Sequence, residues 1–549
     1  MTVILFTIAL VAVFWHARQR GAEFTARKIM WVWVLCGATL AVSALASELG
    51  FSLFSLLLPL VCLGLVWGAL LAGGTSQEHL RGGTLVDART LEKLAKKEDP
   101  RAEIFIGGVG VPRRLENRHF LLAGTTGSGK SQAFYQIAEV ARQRGDAAVI
   151  ADVNAEMLGR FYDPERGDAI LNPIDARSES WSPLAEISAE WDCERLSQSI
   201  VPPAEGSEGE WKGYAQVLLA AILSKVWREN GKNFDLSNLI LTASSEELGE
   251  TLKGTQAAQF FAPGAEKMLG SIRSILTSHC QPFSYLKPGA GRDAFSITKF
   301  IQREAAERRG AFLCFPVRDD FFKSFRPLIA GQIDIAISAL LSTEDDEDRR
   351  VWFMLDEFAS WGRMASVGDL LTKARKKGGV GALGLQTISQ VRQSYGRDGA
   401  QTLLACLGTW LTLRAGDPET AEYISQTIGD EQLRRYLEST NHERQKTSNE
   451  RLDVERAIMP ADLKNLPDLV GILNIAGPLP AGWVHIPVSP LKRTVAGFKV
   501  GSDPAPAVAD SALTAALPES TPAASDFVGE LLDIGDDPTS VDQSTEAAK

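Results

Sequence analysis

The run Gly124-Thr125-Thr126-Gly127-Ser128-Gly129-Lys130-Ser131 constrains this chain more than any other stretch. It fits G-x-x-x-x-G-K-[ST], a phosphate-binding loop. The apolar residues Phe120-Leu121-Leu122-Ala123 before it predict a buried strand, and Gln132 to Arg144 after it predicts a helix. A strand entering a glycine loop that opens a helix commits the chain to an α/β architecture. Glycines let backbone N–H groups turn inward around phosphate oxygens, and the helix N-terminus adds partial positive charge. Gly124, Thr125, Thr126, Gly127, Ser128 and Gly129 form the cradle in this reading. Lys130 reaches the β- and γ-phosphates of ATP, and the Ser131 hydroxyl ligates Mg²⁺.

A second motif completes such a site. Val351-Trp352-Phe353-Met354-Leu355 is an apolar run ending in Asp356 and Glu357. Asp356 is expected to hold Mg²⁺ and Glu357 to polarise the attacking water, as in a Walker B strand. Gly379 to Leu385 predicts a further strand with Gln386 at its tip. Gln386 is placed either as a sensor of the γ-phosphate or as a strand-end cap. Arg414 follows the apolar run Thr409 to Leu413. It is placed either as an arginine finger reaching a neighbouring subunit or as the partner of Asp417 or Glu419. The basic cluster Lys373-Ala374-Arg375-Lys376-Lys377 is either a solvated face or a phosphate contact in a channel. Arg113, Arg114 and Arg118 form a weaker cluster.

Pattern along the chain suggests five parts. Residues 1–73 hold three apolar stretches, Thr2 to Trp15, Met30 to Ala46 and Phe51 to Ala72. The last two predict a transmembrane hairpin joined by Ser47-Glu48-Leu49-Gly50. Arg18, Arg20, Arg27 and Lys28 lie before the hairpin, so the positive-inside rule puts that basic stretch in the cytoplasm and the Ser47 to Gly50 loop outside, and the chain returns to the cytoplasm before the phosphate loop. Thr2 to Trp15 reads either as a third span or as an interfacial helix. Residues 74–184 read as the first part of a nucleotide-binding domain, with Ala147 to Ala151 a strand ending at Asp152. Residues 185–301 show helical periods: Trp211 to Asn230, Ser237 to Leu241, Ser245 to Lys253 and Ala265 to Leu276. Residues 302–500 return to α/β pattern. Residues 501–549 are rich in Ala, Pro, Ser, Thr and Asp, and read as a disordered acidic tail. Within that tail, Phe527, Val528, Leu531, Leu532 and Ile534 read either as an amphipathic helix for a partner or as incidental.

Charge is uneven. Ten acidic residues and one Lys in 501–549 account for −9 of the formal −11, leaving the body near −2. A near-neutral body is compatible with nucleic-acid contact through local basic faces, and excludes a surface coated in basic charge. Six cysteines show no C-x-x-C pair and no metal spacing, so they read as reduced thiols. No LSGGQ-like stretch supports a transporter ATPase.

Several stretches together resemble the conjugative coupling proteins of type IV secretion systems, TraD-like branch. They are Gly110 to Ser131; Asn172-Pro173 with Asp175 and Trp181-Ser182-Pro183; Gly384-Leu385-Gln386-Thr387 with Ser389-Gln390; Asp417-Pro418-Glu419-Thr420-Ala421-Glu422; and Leu463-Lys464-Asn465-Leu466-Pro467. The resemblance covers roughly Gly107 to Val488 and implies a RecA-like P-loop NTPase domain with an inserted all-α domain. It also implies N-terminal transmembrane helices in the bacterial inner (plasma) membrane, with the ATPase domain cytoplasmic. The implied assembly is a homohexamer around a channel. The implied activity couples ATP hydrolysis to export of single-stranded DNA attached to a relaxase, with relaxosome proteins and type IV secretion membrane components as partners. Lys130, Ser131, Asp356, Glu357, Gln386 and Arg414 are the positions matching the family's nucleotide residues. A third span at Thr2 to Trp15 would depart from the family's two. An FtsK/HerA-type pump of duplex DNA and a nucleotide-switched docking receptor for protein substrates are the alternatives.

Overall fold

A computed structural model describes residues 77–440, 446–490 and 492–501. The expected membrane spans and the acidic tail beyond Gly501 lie outside the described residues. The chain divides into two compact units. The larger holds Glu92–Gly416, Pro467–Gly477 and the segment from Val484.

A mostly parallel sheet forms the centre of the larger unit. Its strands in chain order are β1 (Phe120–Ala123), β2 (Ala147–Val153), β3 (Ala169–Ile170), β4 (Phe312–Val317), β5 (Val351–Leu355), β6 (Gly379–Leu385), β7 (Thr409–Thr412) and β8 (Val470–Asn474). In space they run β8-β7-β1-β6-β5-β2-β4-β3, all parallel except β8 against β7. Every residue of β1, β4, β5 and β6 is buried, which fits uninterrupted apolar runs covered on both faces. The strands expected at Phe120, Ala147, Val351, Gly379 and Thr409 all join this sheet. The strand after Walker B inserts between the P-loop strand and the Walker B strand.

Helix α1 (Lys130–Arg144) leaves the glycine loop and stops at Gly145, whose φ of 74° closes the end. Between β3 and β4 the described residues form helices, turns and loops, with β structure limited to isolated bridges at Asp175, Trp181 and Phe295. The principal helices there are Trp191–Ile200, Gly206–Arg228, Asn233–Leu241, Glu266–Cys280 and Ile297–Glu307. Helix α2 (Asp319–Leu341) follows β4. It is long and apolar enough to cross a membrane, yet 72% of its most apolar window is buried, as in a core helix. Asp334, within it, is almost wholly buried and accepts hydrogen bonds from Ser199 Oγ (2.6 Å) and Ser366 N (2.5 Å). That carboxylate ties the helical region to the loop after the Walker B strand.

At the opposite end of the strands, Glu116 is fully buried between two arginines. Its oxygens lie 2.8 Å from Arg144 Nη1 and 3.0 Å from Arg350 Nε. Asp146 joins them and accepts from Trp352 Nε1 at 3.0 Å. Removing one partner of a buried ion network strands the others. Glu116→Ala should therefore lower unfolding stability by about 3–5 kcal/mol, read as a shifted urea midpoint.

The smaller unit comprises the described residues up to Leu91 with Asp417–Leu466 and Pro478–Trp483. It contains a long antiparallel hairpin, Asp430–Thr440 with Lys446–Arg456, and Gln77–Gly82 pairs with its first strand. The Asp417-Pro418 dipeptide opens the helix Pro418–Ile428. Asp417 Oδ2 accepts from Thr420 N at 2.9 Å, and Pro418 takes the first helical position.

Candidate active site

The glycine loop is built so that side chains are excluded where the backbone must close in. A Cβ on Gly124 would lie 2.6 Å from Ser128 Oγ, and one on Gly129, at φ 112°, would lie 2.7 Å from the Leu469 side chain. Gly127 also has positive φ, with open space around it. The loop hangs between its flanking strands. Gly124 N donates to Leu385 O (2.9 Å) and Thr125 N to Arg414 O (2.9 Å). Ser128 Oγ donates back to Thr125 O at 2.7 Å.

Six of the sequence-derived residues, Gly124, Thr126, Lys130, Asp356, Glu357 and Gln386, meet at the mouth of this loop. Lys130 is buried; its Nζ donates to Gly124 O at 2.6 Å and stands 3.3 Å from Glu357 Oε1. Gln386 Nε2 donates to the same Glu357 oxygen at 2.7 Å and to Thr126 Oγ1 at 3.2 Å. Asp356 Oδ1 accepts from Glu357 N at 3.0 Å. Glu357 sits at φ 53°, a left-handed conformation that a non-glycine residue holds only when its surroundings impose it. Burial pushes the Asp356 carboxyl up to about 6, and neighbouring Glu357 adds to this while Lys130 opposes it. The Asp356 carboxylate past the end of β5 and the Ser131 hydroxyl in the first turn of α1 are hard oxygen donors of the kind Mg²⁺ takes. These residues fit the ion.

Gly384 matters to this arrangement, though it stood in the sequence only as part of a motif. A Cβ there would lie 2.8 Å from Asp356 Oδ1 and 3.1 Å from Glu357 N. Gly384→Ala should displace both acids and lower kcat on the order of 10²-fold, with the chain still folded by circular dichroism.

Asp152 is a carboxylate that sequence reasoning left unassigned. Ala151 pairs with Leu355, so Asp152, next to last in β2, lies beside Asp356 just past the end of β5. It is buried, accepts N–H groups of Met157 and Leu158, and is pushed up to about 8, chiefly by burial and next by Asp356. The signal was present: β2, like β5, is an apolar run closed by an acid.

Arg414 lies on the rim of its own glycine loop, through the bond from Thr125 N to its carbonyl. Its guanidinium pairs with Asp468, 54 positions on, where local sequence had pointed to Asp417 or Glu419. In the basic cluster, Lys373 pairs with Asp369 and Lys377 with Asp345, each at 2.8 Å, while Arg375 and Lys376 are exposed. Arg113 and Arg114 are held by Glu103 and Glu98, which offsets most of the charge of the weaker cluster.

The model of the type IV secretion-system coupling protein DNA-binding domain matches residues 103–487. The chain belongs to the type IV secretion-system coupling protein family. Among curated relatives of this family, the coupling protein TraD of Escherichia coli K12 is 28% identical over 416 residues, 74% of this chain and 58% of that protein. The protein VirD4 of Agrobacterium fabrum is 23% identical over 426 residues, 71% of this chain and 62% of that protein. The matches thus span under two thirds of these relatives' own lengths. Among solved structures, the bacterial conjugative coupling protein TrwBdeltaN70 superposes with a TM-score of 0.71 at 32% identity, covering 78% of this chain and 98% of that chain. The plasmid coupling protein TrwB in complex with ADP and Mg²⁺ gives a TM-score of 0.69 at 32% identity, covering 78% of this chain and 98% of that one. The mixed α/β fold with a mostly parallel central sheet is that of these coupling proteins.

Proposed function

We propose that this chain is a membrane-anchored, DNA-dependent ATPase that delivers relaxase-bound single-stranded DNA into a type IV secretion channel. The observation that carries the reading is the convergence of Lys130 and Gln386 on one oxygen of Glu357 at the mouth of the glycine loop, with Gln386 also bonded to Thr126. A docking receptor using nucleotide only as a switch has no need for a glutamate held there by two donors. The TrwB structure with ADP and Mg²⁺ supports the same cofactors here.

In the proposed reaction, Lys130 exchanges its bond to Gly124 O for the β- and γ-phosphates of ATP. Ser131 and Asp356 hold Mg²⁺, which neutralises phosphate charge when bound. Glu357 accepts a proton from the attacking water, and Gln386 fixes the orientation of its carboxylate. Arg414, once free of Asp468, reaches the nucleotide of a neighbouring copy in a homohexamer. The DNA backbone contacts basic side chains such as Arg375 and Lys376, so binding is largely sequence-independent and weakens with salt. In this reading the apolar stretches of residues 1–73 anchor the assembly in the bacterial inner membrane beside the secretion components, with relaxosome proteins on the cytoplasmic side.

The test is ATP hydrolysis by the full chain in detergent or nanodiscs, without DNA and with single- or double-stranded DNA. Stimulation by single strands supports the reading. Preference for duplex favours an FtsK/HerA-type pump. Bound ATP with no turnover under oligomer-forming conditions favours the docking receptor.

A further inference from the structure

The last described residues make a second set of contacts with the active-site region. After Asp152, the chain turns through Asn154 and Ala155 at φ 68° and 52°. The turn is closed by the N–H groups of Met157 and Leu158 on the Asp152 carboxylate. It carries Glu156, which accepts from Tyr135 Oη at 2.6 Å. Tyr135 lies on α1, one turn beyond Lys130 and Ser131, and Arg160 stacks over its ring at 4.4 Å. The turn is thereby bolted to the helix that the phosphate loop opens.

Residues 492–501 lie across this turn. Thr494 N and Val495 N both donate to Gly159 O, at 2.8 and 3.2 Å. Arg493 reaches Glu156 at 3.4 Å. A Cβ on Gly497 would lie 2.8 Å from Ala155 O, so the strap runs flush against the turn. Further along, Arg177 donates to the carbonyls of Ala496 (2.8 Å) and Gly497 (3.1 Å). The buried Asp175 orients Arg177 and also accepts from Lys499 N at 3.2 Å. Ala176 N donates to Lys499 O at 2.8 Å, and Gly501 N to Ile174 O at 3.1 Å. Asp175 and Arg177 thus serve as a clasp for a segment more than 300 positions away.

We propose that residues 492–501 are a positioning strap for the nucleotide site, holding the Asn154–Gly159 turn and, through Glu156 and Tyr135, the start of α1. This rests on the ATPase reading above for its kinetic consequence. The structural consequence stands alone.

The test uses the full chain and three variants: Thr494→Pro, which removes the N–H to Gly159; Gly497→Val, whose side chain would collide with Ala155 O and push the strap off the turn; and a chain ended after Gly501. Readouts are amide exchange at Met157 and Leu158, affinity for an ATP analogue, KM and kcat for ATP, and the thermal midpoint. In the two strap variants, exchange at those amides should accelerate. Their kcat/KM should fall roughly five- to tenfold, with the thermal midpoint moved by no more than a few degrees. The chain ended after Gly501 should match the wild type in all four. Unchanged exchange and unchanged kcat/KM in both strap variants would overturn the proposal. So would equal losses in the chain ended after Gly501. If either strap variant fails to fold, Arg177→Lys replaces it, since it loosens the grip on Ala496 and Gly497 while keeping the charge. Should the wild type hydrolyse no ATP, the ATPase reading fails, while exchange and nucleotide affinity still decide the strap.

Discussion

Glu357→Gln should bind ATP with near wild-type affinity and hydrolyse it about 10²–10⁴-fold more slowly. The substitution keeps the volume and leaves Gln386 and Lys130 in place. It removes the carboxylate that Lys130 and Gln386 hold at the mouth of the loop, the group placed to take a proton from water. Binding is measured with a fluorescent ATP analogue and turnover by phosphate release. A loss of binding equal to the loss of turnover would mean that Glu357 serves the fold of the loop rather than the chemistry. Hydrolysis at the wild-type rate would remove Glu357 from the mechanism.

The second large effect is expected from Lys130→Ala, with the opposite signature. Lys130 is buried, bonded to Gly124 O and beside Glu357. Its loss removes the principal positive charge offered to the phosphates and leaves the Glu357 carboxylate facing them. The change should cost about 2–4 kcal/mol of phosphate stabilisation. Analogue binding should weaken roughly 30- to 1,000-fold on that basis, and hydrolysis should fall below detection. Retained tight binding would show that the backbone amides of the loop carry the phosphates unaided. The two variants together separate binding from turnover.

Much of this site was legible because its parts are local in sequence. The glycine loop announces itself through the strand before it and the helix after it. The Walker B strand announces itself through an apolar run closed by two acids. What remained illegible depends on pairs that only the folded chain creates. Asp152 carries the same strand-ending signature as Asp356, yet its meaning comes from the register of β2 against β5. Gly384 is an ordinary strand glycine until β6 is set beside Asp356. The partner of Arg414 is Asp468, beyond the reach of local pairing. The strands Asp430–Thr440 and Lys446–Arg456 are mostly charged and polar, with apolar alternation confined to Leu452 and Val454, too short a run to mark a strand pair. Helix α2 is apolar nearly all round because it is buried on most sides, which blurs the periodicity that marks a surface helix. The clasp of Asp175 and Arg177 joins segments too far apart in the chain for any local pattern to show.

The placement of β1 also bears on how the protein is made. Its two neighbours in the sheet are β6 and β7, which begin at Gly379 and Thr409. On the ribosome, the strand that leads into the phosphate loop therefore waits through roughly 250 further residues before either partner exists. Contacts of such long sequence separation form slowly. A nascent chain released early would carry Phe120–Ala123, buried throughout in the finished protein, with both edges open. Chaperone demand, and aggregation of fragments ending before Gly379, follow from strand order alone.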